Sequence, residues 1–221
     1  MNGALPTRAS GLPLIKMCGL RRTSDVAAAA DVGADLIGMV FAPSRRRISV
    51  AEARAALAEA GPHPPLVGVF VNETVDSMRD VAETLGLSFV QLSGEEQPSA
   101  GAALEAPYIK VIHLREGGAA EEALRRMERW SGAIAFLLDS WSPRGGGSGQ
   151  PADWAVAADI IRRAPAPIFL AGGLHPENVG KAITRTAPWG VDVSSGIEQA
   201  GWKDPARMKA FVEAVRKGEG S

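Results

Sequence analysis

The sequence predicts an α/β protein built as a single closed (β/α)8 barrel, and three observations carry that reading. Short apolar runs rich in β-branched residues alternate with longer alanine- and charge-rich segments, the pattern of a parallel sheet covered by helices. Eight such pairs follow one another. The chain has 221 residues, within the roughly 200–250 of one-domain barrels. So many pairs in so short a chain leave little room for insertions, which favours a closed barrel over an open doubly wound sheet. Residues 1–221 are read as one domain with frayed polar or small-residue tails at 1–11 and 217–221.

The elements are expected in order. Strands fall at 13–18 (PLIKMC), 35–41 (DLIGMVF), 66–71 (LVGVFV), 88–92 (SFVQL), 108–113 (YIKVIH), 133–138 (AIAFLL), 167–171 (PIFLA) and 189–193 (WGVDV). Helices follow at 24–32, 50–60, 75–85, 99–105, 119–130, 152–163, 176–186 and 204–216. Ser24, Ser49 and Asp204 are polar side chains suited to accept from the free amides of a first turn, and Pro176 and Pro205 suit the first helical position. The fourth helix is the weakest, because Pro98, Gly101 and Pro107 cut its segment towards a single turn. The one long glycine-rich loop, 140–149, is long enough to suggest a role.

Composition narrows the function classes. A formal charge of −1 offers no global field for nucleic acid or an anionic membrane, so an anion must be held locally. One cysteine cannot form an internal disulfide, and residues 1–10 lack the apolar run of a signal peptide, which makes the cytoplasm the expected compartment. Each apolar stretch is broken by Gly, Asp, Arg or Pro well short of a bilayer span.

In a (β/α) barrel, binding and catalytic residues come from the C-terminal ends of the strands. That rule selects Cys18, Arg45, Arg46, Arg47, Asn72, Gln91, Asp139, Gly172, Gly173, Ser194, Ser195 and Gly196. The loops after strands seven and eight, with their paired glycines and serines, suit a phosphate: glycine lets main-chain amides approach an anion, and serine adds hydroxyl donors. Tight turns would use the same glycines. Cys18 suits a base if its thiolate forms, or is a small packed hydrophobe. Asp139 leaves a very apolar run and could hold a proton near neutral pH, or simply cap a turn. The three arginines form either a solvated face or a face from which one fork turns inward to hold a carboxylate. His113 reads as a packed or supporting residue. No metal-ligand spacing is visible, so no metal is expected, and GGGSG lacks the context of a nucleotide-binding loop.

Taken together, the pieces resemble the phosphoribosylanthranilate isomerase family from about Ile15 to Phe211. They include Lys16-Met17-Cys18-Gly19-Leu20, Ser44-Arg45-Arg46-Arg47-Ile48-Ser49, Gln91-Leu92-Ser93-Gly94, Leu137-Leu138-Asp139-Ser140, Gly146-Gly147-Ser148-Gly149 with Asp153-Trp154, Leu170-Ala171-Gly172-Gly173-Leu174, and Val191-Asp192-Val193-Ser194-Ser195-Gly196-Ile197-Glu198. The resemblance implies a TIM barrel and a cofactor-free Amadori rearrangement of N-(5-phosphoribosyl)anthranilate in tryptophan biosynthesis. It implies Cys18 as general base, Asp139 as general acid, Arg46 on the anthranilate carboxylate, and phosphate held around Gly172, Gly173, Ser194, Ser195 and Gly196, with Gln91 also facing the substrate. The implied partner is this small phosphorylated molecule, with no nucleic acid or membrane, in a monomer or homodimer.

Three positions depart from the family pattern. Ser93 stands where the family usually has His, which puts the role of that position in doubt. Ser148 replaces Thr and keeps its hydroxyl. Ala152 replaces Phe, so looser packing is expected near Trp154. Two other readings compete: another sugar-phosphate isomerase or lyase on the same barrel, and a barrel that binds a phosphorylated ligand without turning it over.

Overall fold

The computed structural model describes residues 5–6, 11–114, 119–140 and 154–217. Eight parallel strands close into a barrel in sequence order, with β1 (Leu14–Cys18) paired to both β2 (Leu36–Val40) and β8 (Gly190–Val193). Between them run β3 (Leu66–Phe70), β4 (Phe89–Leu92), β5 (Tyr108–Leu114), β6 (Ala135–Ser140) and β7 (Ile168–Leu170). All eight expected strands form, each trimmed or extended by a residue or two. The helices are α1 (Thr23–Asp31), α2 (Val50–Ala60), α3 (Val75–Leu85), α4 (Pro98–Ala103), α5 (Ala120–Glu128), α6 (Trp154–Arg163), α7 (Val179–Thr186) and α8 (Pro205–Lys217). As its prolines and glycine required, α4 is the shortest of them.

Strand alternation sorts the core into two shells. Side chains two apart share a face. Leu14, Leu36, Val67, Phe89, Ile109, Ala135 and Phe169 therefore fill the barrel, while Ile15, Met17, Ile37, Val90, Ile112, Leu138 and Val191 face the helices. The inner series ends at the C-terminal mouth with Cys18, Val40 and Val69. Burying large aliphatic and aromatic side chains is worth roughly 1.5–3 kcal/mol each, which makes both shells part of the fold's driving force.

Several local expectations are corrected. Ser24 does not cap α1: the helix starts one residue earlier, and the buried Asp25 carboxylate accepts from the amides of Arg21 and Arg22 at 3.1 Å each. An ionised acceptor satisfies two amides where a hydroxyl would serve one. Pro176 does not open α7, which begins at Val179. The preceding residues form a turn in which Asn178 Oδ1 accepts from the His175 amide at 2.8 Å. Ser49 does cap α2, as half of a reciprocal capping box with Glu52, and Asp204 accepts from the Arg207 amide at the start of α8. At the chain ends Leu5 packs against the barrel interior and α8 runs to Lys217, while the rest of both tails, apart from Pro6 and Gly11, lies outside the described residues.

No local pattern in the residues after β8 announces the small hairpin that follows it. A single 3-10 turn (Ser195–Ile197) leads into β9 (Glu198–Gln199), which pairs antiparallel with β10 (Trp202–Lys203). Trp202, 45% exposed, lies under the guanidinium groups of Arg21 and Arg22 at 4.2 and 4.6 Å. Arg21 also donates to the carbonyls of Arg45 and Gly201. These contacts tie the hairpin to the loops after β1 and β2 and build one wall of the mouth.

Candidate active site

The C-terminal mouth gathers Cys18, Arg46, Gln91, Asp139, Gly172 and Gly173 around one recess, with Ser194 and Ser195 completing the rim and Gly196 in the adjoining 3-10 turn. Ser93, His113 and Asp192 also line it. Asn72 does not. Its backbone takes a φ of 52°, its amide donates to Glu96, and its Oδ1 accepts from the Glu95 amide at 2.8 Å, so it braces the loop after β4 instead. Arg45 and Arg47 are exposed, and Arg46 alone of the three lines the recess. The expected glycine-rich segment, with Ser148, and position Ala152 lie outside the described residues. Trp154 is half-buried, with the Arg185 guanidinium 5.3 Å from its ring.

Cys18 ends β1 facing inward, and Gly19 follows it with a φ of 79°. A Cβ on Gly19 would lie 2.4 Å from Arg46 Cδ, so the glycine is what lets the arginine stem cross behind the cysteine. Burial pushes the Cys18 thiol above its ordinary value; the Lys16 and Lys203 ammonium groups pull it back, while Asp192 pushes it further up.

Asp139 ends the inward series of β6 with 26% of its side chain exposed. Its carboxyl is raised to about 6, first by burial and then by Asp192, against the opposing pull of His113 and Lys16. The His113 ring lies beside it, with Nδ1 3.8 Å from Oδ2. Nε2 of His113 is 3.0 Å from the Ser93 carbonyl, an acceptor, which fixes that nitrogen as the donor and turns Nδ1 towards Asp139. Thus an imidazole stands at the mouth after all, carried by β5 and reaching the main chain of Ser93.

Arg46, 15% exposed, meets Glu198 through two bonds, Nε to Oε1 at 2.6 Å and Nη2 to Oε2 at 2.9 Å. Lys203 Nζ adds a third contact to Glu198 at 2.8 Å. Although burial opposes ionisation, Arg46 and Lys203 hold the Glu198 carboxyl down at about 2. Among the described residues Arg46 Nη1 has no protein acceptor.

The two glycine-bearing loops are shaped by their backbones. Gly172 and Gly173 have φ values of 86° and 67°. Gly196 tolerates nothing larger, because a Cβ would lie 1.9 Å from the Leu174 carbonyl oxygen. Asn178 donates to the Gly173 carbonyl at 2.9 Å, and Arg207 donates to the Gly196 carbonyl at 3.0 Å, which fastens both turns. Ser194 Oγ donates to the Cys18 carbonyl at 3.0 Å and joins β8 to β1. Gln91 is 5% exposed; its Nε2 meets Ser93 Oγ at 3.0 Å, while among the described residues its Oε1 has no partner.

Reading by motif missed Lys16, Asp192, Glu198 and Lys203 as neighbours of the site. For Lys16 the signal was present: it stands two residues before Cys18 in an apolar strand, and period two places both on the inner face. Asp192 stands in the same relation to Ser194. Glu198 and Lys203 had no such signal, since their meeting depends on the hairpin. Among the described residues no group of three or more His, Cys, Asp or Glu is arranged as metal ligands, and no helix is long and apolar enough to cross a membrane.

A closed eight-stranded parallel barrel with a polar recess at the C-terminal mouth is the architecture of a (β/α)8-barrel enzyme. The family model for N-(5'-phosphoribosyl)anthranilate (PRA) isomerase matches residues 15–214, and the chain belongs to that family. It is 45% identical over 212 residues to N-(5'-phosphoribosyl)anthranilate isomerase of Roseiflexus castenholzii, covering 92% of this chain and 98% of the relative. The solved phosphoribosyl anthranilate isomerase of Thermotoga maritima superposes with a TM-score of 0.83 at 36% identity, over 93% of this chain and 99% of that one. A phosphoribosyl anthranilate isomerase solved in complex with reduced 1-(o-carboxyphenylamino)-1-deoxyribulose 5-phosphate superposes with a TM-score of 0.79 at 34% identity, over 93% and 99% of the two chains.

Proposed function

We propose that this chain isomerises N-(5-phosphoribosyl)anthranilate to 1-(2-carboxyphenylamino)-1-deoxyribulose 5-phosphate in tryptophan biosynthesis. The reading has the whole chain acting as one barrel domain in the cytoplasm, without a cofactor, as a monomer or homodimer. The observation that carries it is the convergence of Cys18 and Asp139 on one recess in a chain of this family.

Asp139, with its carboxyl raised to about 6, keeps a proton at near-neutral pH often enough to give it to the furanose ring oxygen. The C1′–O bond then breaks and an iminium forms. Cys18, as thiolate, takes the C2′ proton, and the enolamine tautomerises to the ketone. The anthranilate carboxylate meets the Nη1–Nη2 edge of Arg46, whose other edge Glu198 holds in place. Phosphate sits against the amides around Gly172, Gly173, Ser195 and Gly196 with the Ser194 hydroxyl nearby. The unpaired Oε1 of Gln91 offers a substrate hydroxyl or N–H an acceptor.

The test is consumption of the anthranilate substrate by the purified protein, followed by fluorescence. Turnover that disappears in Asp139→Asn supports the proposal. An unchanged signal with the substrate bound would indicate a silent barrel. Absence of both binding and turnover would point to another sugar phosphate.

A further inference from the structure

Lys16 is fully buried inside the barrel, and the proposed reaction gives it nothing to do. It lies on the inner face of β1, one step below Cys18, with Nζ 2.6 Å from Asp192 Oδ1. A Cβ placed on Gly38 would lie 3.0 Å from Cys18 Sγ and 3.3 Å from Lys16 Nζ, so thiol and ammonium border the same hollow over β2. Sinking a lysine and a carboxylate into a barrel costs several kcal/mol per ion, and apolar residues of similar volume often serve stability as well or better. The fold alone therefore gives no reason for this pair.

We propose that the Lys16–Asp192 pair positions the proton of Cys18: the Lys16 ammonium draws the thiolate towards it, while the Asp192 carboxylate beside that ammonium pushes the other way. The inference rests on Cys18 being the base. Charged groups surround the thiol: Lys16 on its own strand, Asp192 on β8 and Lys203 on β10, with Arg46 in the loop after β2 and Asp139 on β6 lining the same recess. Lys203 is turned to Glu198 and the Ser194 carbonyl, whereas Lys16 Nζ borders the same hollow beside Gly38 as the Cys18 sulfur. Burial works against the Lys16 charge, yet Asp192 and Cys18 together hold its pKa above the ordinary lysine value. Asp192 and Lys16 thus act on the thiol with opposite signs.

That opposition supplies the test. Cys18 is the one cysteine of the chain, so thiolate absorbance in the full-length protein, taken as the difference from Cys18→Ala, reports it alone. Lys16→Met should raise the titration midpoint by a unit or more, leaving about tenfold less thiolate at any pH below it. Asp192→Asn should lower the midpoint, and iodoacetamide alkylation rates should move in the same two directions. A purely structural role would move neither midpoint or would move both the same way, and either result overturns the proposal. If Lys16→Met does not fold, Lys16→Gln tests the same upward shift, and an Asp192→Asn midpoint that stays or rises is decisive by itself. Turnover of Cys18→Ala separates the two claims. Near wild-type turnover there would remove Cys18 as base while leaving the opposed shifts standing, whereas a dead variant without the shifts would leave the base and remove the pair.

Discussion

In the proposed mechanism, Cys18 and Asp139 have their working forms on opposite sides of neutrality. Asp139 is an acid only while protonated, and its proton is lost as pH rises through about 6. Cys18 is a base only as thiolate, which burial pushes above its ordinary range. The product of the two working fractions rises up to about pH 6, stays level, and falls once pH exceeds the thiol's value, so kcat/KM measured across pH should follow that shape. Asp139→Asn should remove the limb near 6. Cys18→Ala and Asp139→Asn should each lower kcat by roughly 10²-fold or more, the scale of positioned acid–base catalysis, while a phosphorylated product analogue still binds. Wild-type kcat in either variant would assign that residue to packing.

On the proposed reading, the substrate's two ends would meet Arg46, fastened by the hairpin β9–β10, and the two glycine turns. Arg46 is turned inward because Gly19 leaves room for its stem and Glu198 fixes its fork, while Arg47, one residue on, faces solvent. Arg46→Ala should therefore raise KM far more than Arg47→Ala; equal, small changes at both would mean that the carboxylate is held elsewhere. At the other end, Gly196→Ala drives a methyl onto the Leu174 carbonyl and His175 Cα, both backbone. The 3-10 turn must shift, at a cost of about 1–3 kcal/mol in a chemical melt. Affinity for inorganic phosphate should fall with it, and an unchanged affinity would place the anion away from this turn.

The whole molecule feels these groups through pH. Asp139 has a folded pKa above its ordinary 3.8, so the native state loses stability as pH rises from about 4 through 6. Asp139→Asn should accordingly be more stable than wild type at pH 8, by ~3 kcal/mol at most, and the advantage should vanish below about pH 4. Glu198 works in the other direction. Held at about 2 by Arg46 and Lys203, its carboxylate adds stability that is complete above its ordinary 4.5 and disappears as pH falls through 2. Glu198→Gln should lose on the order of 3 kcal/mol at pH 7 and almost nothing near pH 2. Melting curves of both variants across this range check the two signs independently.

The sequence alone determined the barrel, because hydrophobic period and turn chemistry are local, and eight repeats of one local pattern in so few residues admit few closures. It also placed Cys18, Arg46, Asp139 and the two glycine turns at strand ends, since strand-end position is a local property. Ser24 and Pro176 were misread for the converse reason: Asp25 and Asn178 offered their backbones better partners, and choosing among nearby polar groups depends on three-dimensional reach. Only the tertiary structure decided that Asn72 braces the next loop, that His113 brings an imidazole to Asp139 beside Ser93, and that Glu198 holds Arg46. It likewise joined Lys16 to Asp192, partners 176 residues apart. Such pairs form where the first and last strands meet, and the energy of a contact between chain ends leaves no periodic trace in the residues near either one.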